Sequence, residues 1–121
     1  MSPEGRERFP KSARLRKRPQ FLRLSRTGKK IHSPNFIVIY ENNDCGETRL
    51  GITVSGKVGN AVVRNQIKRF VREFFRHRRH EWANGLDILV IAKKSAADVS
   101  LALVENELGK SLGKHRSHAK Q

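Results

Sequence analysis

Between Ala61 and Arg79 the sequence encodes a helix with two opposed uses. Val63, Ile67, Phe70, Val71 and Phe74 recur at helical spacing and fall within about a third of the circumference at ~100° per residue. On nearly the opposite side lie Arg64, Asn65, Lys68, Arg69, Arg72, Arg76 and Arg79. One face needs a core and the other needs an anion. Surface helices commonly carry Lys and Arg for solubility, but those usually alternate with Glu or Asp. Here Glu73 is the one acidic residue between Arg64 and Arg79. A fold for this chain must bury one side of that helix and leave the other accessible.

The rest of the chain repeats the bias. Lys and Arg number 26 against 11 Asp and Glu, a formal net charge of +15 on 121 residues. No acidic residue occurs between Arg8 and Tyr40. So concentrated a charge repels itself and favours an anionic partner: nucleic acid, membrane surface or acidic protein. No apolar run approaches the roughly 20 residues of a membrane span, and residues 1–10 contain no stretch of signal-peptide type. Cys45 stands alone, which excludes an intramolecular disulfide and a cysteine-rich zinc site. The length suits one domain with a modest core. These features predict a cytoplasmic, single-domain (1–121) nucleic-acid-binding protein, with residues 1–13 and 114–121 as mobile tails.

Local signals place the other elements. Pro19 suits a first helical turn, Phe21, Leu22 and Leu24 follow, and Gly28 stands where a C-terminal cap would. Phe36–Tyr40 reads as a strand from its β-branched and aromatic content, and Arg49–Val54 as another. The turn-forming residues between them predict a hairpin. Asn60 is placed to cap the basic helix. Asp87–Ala92 reads as a third strand, its run from Ile88 to Ala92 apolar as expected of a buried central position. Ser100 can cap a last helix with Leu101, Val104, Leu108 and Leu112 on one face and Gly113 at its end. The order helix, strand, strand, helix, strand, helix makes a small α+β sandwich, with helices on a three- or four-stranded sheet.

Several candidate chemistries fail on their own residues. Gly51-Ile-Thr-Val-Ser-Gly-Lys57-Val58 matches a phosphate-loop pattern, but Val58 replaces the hydroxyl that would hold magnesium and the spacer is strand-like. His77 and His80, like His115 and His118, share a helical spacing without a cysteine or acidic cluster to complete a metal shell. Cys45 has no neighbouring histidine to activate it. No catalytic residue and no protein metal site is expected. By contrast, the basic helix has the footprint of phosphate-backbone binding, with Asn65 able to bond a base edge or ribose. Strand alternation puts Phe36, Val38 and Tyr40 on one face and Ile37 and Ile39 on the other, so the sheet could pack helices on one side and stack single-stranded bases on the other.

Lys57-Val-Gly-Asn-Ala-Val-Val-Arg64-Asn65-Gln66-Ile-Lys68-Arg69-Phe-Val-Arg72-Glu73 closely resembles the signature of the bacterial ribonuclease P protein subunit. The likeness extends to Arg14-Leu-Arg-Lys-Arg with Phe21, to Phe36–Tyr40, to Arg49–Ser55 and to Asp87–Lys94. It implies a basic cofactor for a catalytic RNA. The RNA carries the active site and its magnesium, and the holoenzyme removes the 5′ leader of precursor tRNA as an endonuclease. The protein binds that RNA and the leader.

By position, the resemblance assigns RNA binding to Arg14, Arg16, Lys17, Lys57, Arg64, Asn65, Lys68, Arg69, Arg72 and Arg76. It gives Phe21, with Phe36 and Tyr40, to the leader cleft. It also implies a left-handed β–α–β crossover, where the general rule would give a right-handed one, and a chain that is monomeric without RNA. Two residues depart from the pattern: Gln66 stands where a second Arg is usual, and Ser25 where relatives often carry another aromatic. The alternative is a ribosomal or other structural RNA-binding protein of the same fold.

Overall fold

The computed structural model describes residues 18–43, 47–81 and 85–119. Among the described residues three helices, α1 (Arg18–Thr27), α2 (Ala61–Arg78) and α3 (Leu101–Ala119), accompany four strands, β1 (Lys29–His32), β2 (Phe36–Asn42), β3 (Arg49–Thr53) and β4 (Leu86–Ala92). Short 3₁₀ turns occupy Arg79–Glu81 and Lys94–Asp98.

The sheet order is β1-β2-β4-β3. β2 runs antiparallel to both β1 and β4, whereas β3 and β4 are parallel. The expected hairpin between β2 and β3 is therefore absent, because β4 inserts between them. The reason lies in composition: β4 is apolar on both faces and almost wholly buried, so the centre of the sheet is the place that satisfies it. β2 instead forms its hairpin with β1, a strand with one apolar residue, Ile31, and two lysines at an exposed edge. A sequence of that kind carries no strand periodicity, and edge lysines discourage pairing with another chain.

Period-2 alternation then divides the core in two. Phe36 and Val38 of β2, Leu50 of β3 and Leu86, Ile88 and Val90 of β4 meet Ile67, Val71, Phe74 and Phe75 of α2 and Val104, Leu108 and Leu112 of α3. On the other face Ile39 and Leu89 bury Leu24 of α1, with Phe21, Ile37 and Ile91 half-buried around them. Phe75 lies just outside the stripe read from periodicity. It is buried because α2 packs against both the sheet and α3, which widens the apolar arc beyond what one contact requires.

The helix ends follow the expected chemistry except at Gly113, and Pro19 stands in the first turn of α1. Asn60 Oδ1 accepts from Val63 N at 3.0 Å, and Ser100 Oγ accepts from Leu103 N at 3.1 Å. Gly28 does follow α1, its N–H donating to Leu24 O at 2.9 Å, but among the described residues a positive φ occurs only at Gly85. Glycine is needed at 28 for close approach, since a Cβ there would stand 2.7 Å from Ile39 Cγ2 and 2.8 Å from Leu24 O. Gly113 does not end α3, which continues to Ala119.

One buried carboxylate fastens α3 to the β1–β2 turn. Glu107 Oε2 accepts from Ser33 Oγ and from Asn35 N (2.7 Å), and Oε1 accepts from Asn35 Nδ2 (2.8 Å). Burial alone would raise its pKa; the hydrogen bonds from Ser33, Asn35 and Phe36 outweigh that and hold the carboxyl below its ordinary value.

Candidate nucleic-acid interface

The exposed side of α2 begins at a turn. After β3 the chain turns through Ser55–Val58, with Val58 N donating to Ser55 O at 3.1 Å and Lys57 N to Ser55 Oγ at 3.3 Å. Val58 points into the main core, which leaves Lys57 exposed beside the start of α2. Gly51–Thr53 of the phosphate-loop pattern lies in extended β3, so those residues form no cradle for a nucleotide.

Along α2 the cations fall into two groups. Lys57, Arg64, Lys68 and Arg69 form no ion pair with any described residue. Asn65, Arg69 and Arg72 are exposed, and Arg64 and Lys68 half-buried. The C-terminal end is different. Arg76 Nη2 lies 2.7 Å from Glu73 Oε1, Arg78 Nε 3.0 Å from Glu81 Oε2, and Arg79 Nη2 2.7 Å from Glu47 Oε2. His77 faces Glu73 at 3.5 Å and Glu105 of α3 at 3.3 Å. Arg78 also lies over the Phe74 ring, 5.4 Å from its centroid. Carboxylates from four parts of the chain thus neutralise the end of the helix, and the accessible positive field concentrates at its beginning. Arg76, expected among the RNA-binding cations, belongs by geometry to the neutralised group. Glu47 and Glu105 come from distant segments, so no local pattern could have announced them. Glu73 with Arg76, and Arg78 with Glu81, are i,i+3 pairs that spacing alone could have found.

The three aromatics expected in one cleft are divided by the sheet. Phe21 lies half-buried on the α1 face. Phe36 has 0% exposure and points to the opposite face, under α2 and α3. It cannot stack on a base, and its place in the cleft is corrected: period-2 alternation aims it into the main core. Tyr40, on the Phe36 side, is half-buried against that same core. Its edge lines a hollow of about 340 Å³ with Thr27, Lys29, Glu41 and Asn42. Residues sharing a face with Phe21 are Ile37 and Ile91, and Thr53 joins them through its pairing with Ile91. Sequence alternation could have found Ile37; Ile91 and Thr53 needed the strand order. Ser25 is exposed on α1. Arg14, Arg16, Lys17 and Cys45 lie outside the described residues.

Comparison with known proteins decides among RNA-binding folds. A family model, Ribonuclease P, matches residues 9–116. The chain belongs to the ribonuclease P protein family. It is 46% identical to the ribonuclease P protein component of Desulforapulum autotrophicum, over 88% of this chain and 91% of that one. With the component of Desulfosudis oleivorans the identity is 49%, covering 83% of each. Among solved structures, the RNase P protein of Staphylococcus aureus superposes with a TM-score of 0.80 at 37% identity, over 86% of this chain and 95% of that one. The RNase P protein of Thermotoga maritima gives 0.76 at 36% identity, over 84% and 96%. Ribonuclease P proteins are components of a ribonucleoprotein endoribonuclease, and the mixed α+β sandwich is common to this chain and those structures. Among the described residues no helix is long and apolar enough to cross a membrane.

Proposed function

We propose that the chain binds the catalytic RNA of ribonuclease P through the beginning of α2 and the Lys57 turn. In this reading the single-stranded 5′ leader of precursor tRNA lies on the α1 face of the sheet, beside Phe21. The observation that carries it is the division of α2: cations without ion pairs among the described residues at its start, cations paired with carboxylates at its end. A surface kept basic only for solubility has no reason to neutralise one end and leave the other open.

The chemistry follows from charge. Catalytic RNA and substrate are both polyanions, and bringing them together is opposed by repulsion that Lys57, Lys68, Arg69 and Arg72 offset. Asn65, exposed among them, is a neutral donor and acceptor for a base edge or a 2′-hydroxyl. Phe21 and the apolar Ile37 and Ile91 suit stacking of unpaired bases, which tolerates sequence. Magnesium supplies the cleavage chemistry and is held by the RNA; among the described residues no three His, Cys, Asp or Glu side chains gather as a donor set. The protein works in the cytoplasm and is a monomer until it meets RNA.

Reconstitution tests this. Added to its cognate catalytic RNA at low magnesium, the chain should promote leader removal, and a precursor lacking the leader should gain less affinity than the full precursor. Binding to the catalytic RNA no tighter than to bulk tRNA, with no stimulation of cleavage, would overturn it.

A further inference from the structure

The turn that presents Lys57 is flanked by two glycines, and Arg64 lies against both. Arg64 Nη1 donates to the Gly59 carbonyl at 2.9 Å. A Cβ placed on Gly56 would meet the same nitrogen at 3.7 Å. The half-buried guanidinium, one turn into α2, therefore spans the base of the segment from Ser55 to Asn60. Two other contacts hold parts of that segment: Val58 sits in the core and Asn60 caps the helix. The remaining bonds, from Val58 N and Lys57 N to Ser55, are internal to the turn. They shape the turn, and Arg64 adds to the Asn60 cap a side-chain bond from the helix to the Gly59 carbonyl. Gly59 lies close against the first turn of α2, where a Cβ would stand 2.9 Å from Val63 Cγ1.

A guanidinium devoted to phosphate would direct its donors outward. This one directs a donor inward, at a backbone oxygen on the segment that carries the neighbouring cation. We propose that Arg64 is a positioning residue: it braces the Ser55–Asn60 segment so that Lys57 is held ready for RNA. The proposal rests on the reading that Lys57 and the start of α2 face the RNA. Arginine suits the role because its rigid fork can bond a carbonyl at a fixed angle, which a lysine point charge does not reproduce.

The test joins hydrogen exchange of the free full-length chain to the salt dependence of RNA binding. Arg64→Ala should speed exchange of the Val58 amide on the order of tenfold, as expected for loss of a charge-assisted bond that restrains it, while core amides of β4 exchange as before. Lys57→Ala should lower the slope of log affinity against log salt by roughly 0.7–0.9, one phosphate contact. Arg64→Ala should lower it by the same amount, and the double variant by no more than either single one. Unchanged exchange at Val58, or slopes that add in the double variant, overturns the proposal. Lys68→Ala separates the two levels. If it flattens the slope while Arg64 and Lys57 act additively, the positioning role alone falls. If neither Lys68→Ala nor Lys57→Ala moves the slope, the RNA-facing assignment fails and takes the positioning role with it.

Discussion

Arg49 and Asp87 stand opposite each other in the parallel β3–β4 pair and meet edge to edge, Nε to Oδ1 at 2.8 Å and Nη2 to Oδ2 at 2.9 Å. Asn43 Nδ2 adds a third bond to Oδ1 at 2.8 Å. Asp87 is the polar residue of an otherwise apolar central strand, and these bonds are what allow a carboxylate there. Arg49→Ala leaves that carboxylate buried with Asn43 as its remaining named partner, so it should destabilise the fold by about 3 kcal/mol or more. Urea unfolding measures the loss. Replacing both residues by apolar ones of similar size should cost much less than the single change.

Glu107 should make stability depend on pH. Its folded pKa lies below the ordinary carboxyl value, so its contribution is fully present above the unfolded value and is lost as pH falls through the folded one. Glu107→Gln removes that charge and sets an amide N–H₂ against donors from Ser33 and Asn35. Urea midpoints of the two proteins should differ most near neutral pH and converge in acid. Parallel curves at all pH values would contradict this account.

Phe36 and Phe21 should fail in different ways. Phe36→Ala empties a fully buried site and should cost about 3–5 kcal/mol of stability. Phe21→Ala should weaken binding of precursor tRNA carrying a leader by about 1–3 kcal/mol, the worth of one stacked base. Affinity for mature tRNA should then be nearly unchanged. Comparing the two RNAs on the same variant isolates the leader contribution from any loss of packing.

The two ends of α2 should differ in salt. Lys68→Ala or Arg69→Ala should reduce the salt slope of RNA binding by roughly 0.7–0.9 each. Arg79→Ala, whose guanidinium is held by Glu47, should leave the slope as it is. Affinities measured across a salt series give both answers.

How far the sequence carried depended on whether a feature was local. The two-faced α2, its Asn60 cap, the buried β4 and the Ser100 cap all follow from residues within a few positions of one another, and each stands where the pattern put it. β1 escaped because Lys29, Lys30 and His32 around one isoleucine have no alternation to detect. The β2–β3 hairpin was mistaken because nearness in sequence suggested pairing, while the burial demand of β4 decided it. Of the site, the cations of α2 were legible, as were the i,i+3 pairs at its end, but the full division was not, since it depends on Glu47 and Glu105 arriving from elsewhere. Phe36 was misassigned although its alternation with Ile37 was read correctly. Its side of the sheet was known; which side faced α2 was not.

The strand order has a consequence for how the chain is made. β2 and β3 are neighbours in sequence but share no hydrogen bonds; β2 already has β1 beside it, while β3 waits for β4, which is synthesised after α2. Until Ala92 has been made, β3 has no partner strand, and the apolar stripe of α2 has no complete sheet to cover. β4 therefore acts as a keystone: its arrival joins the β1–β2 hairpin to β3, gives α2 a sheet to cover and sets the positive charge in one geometry.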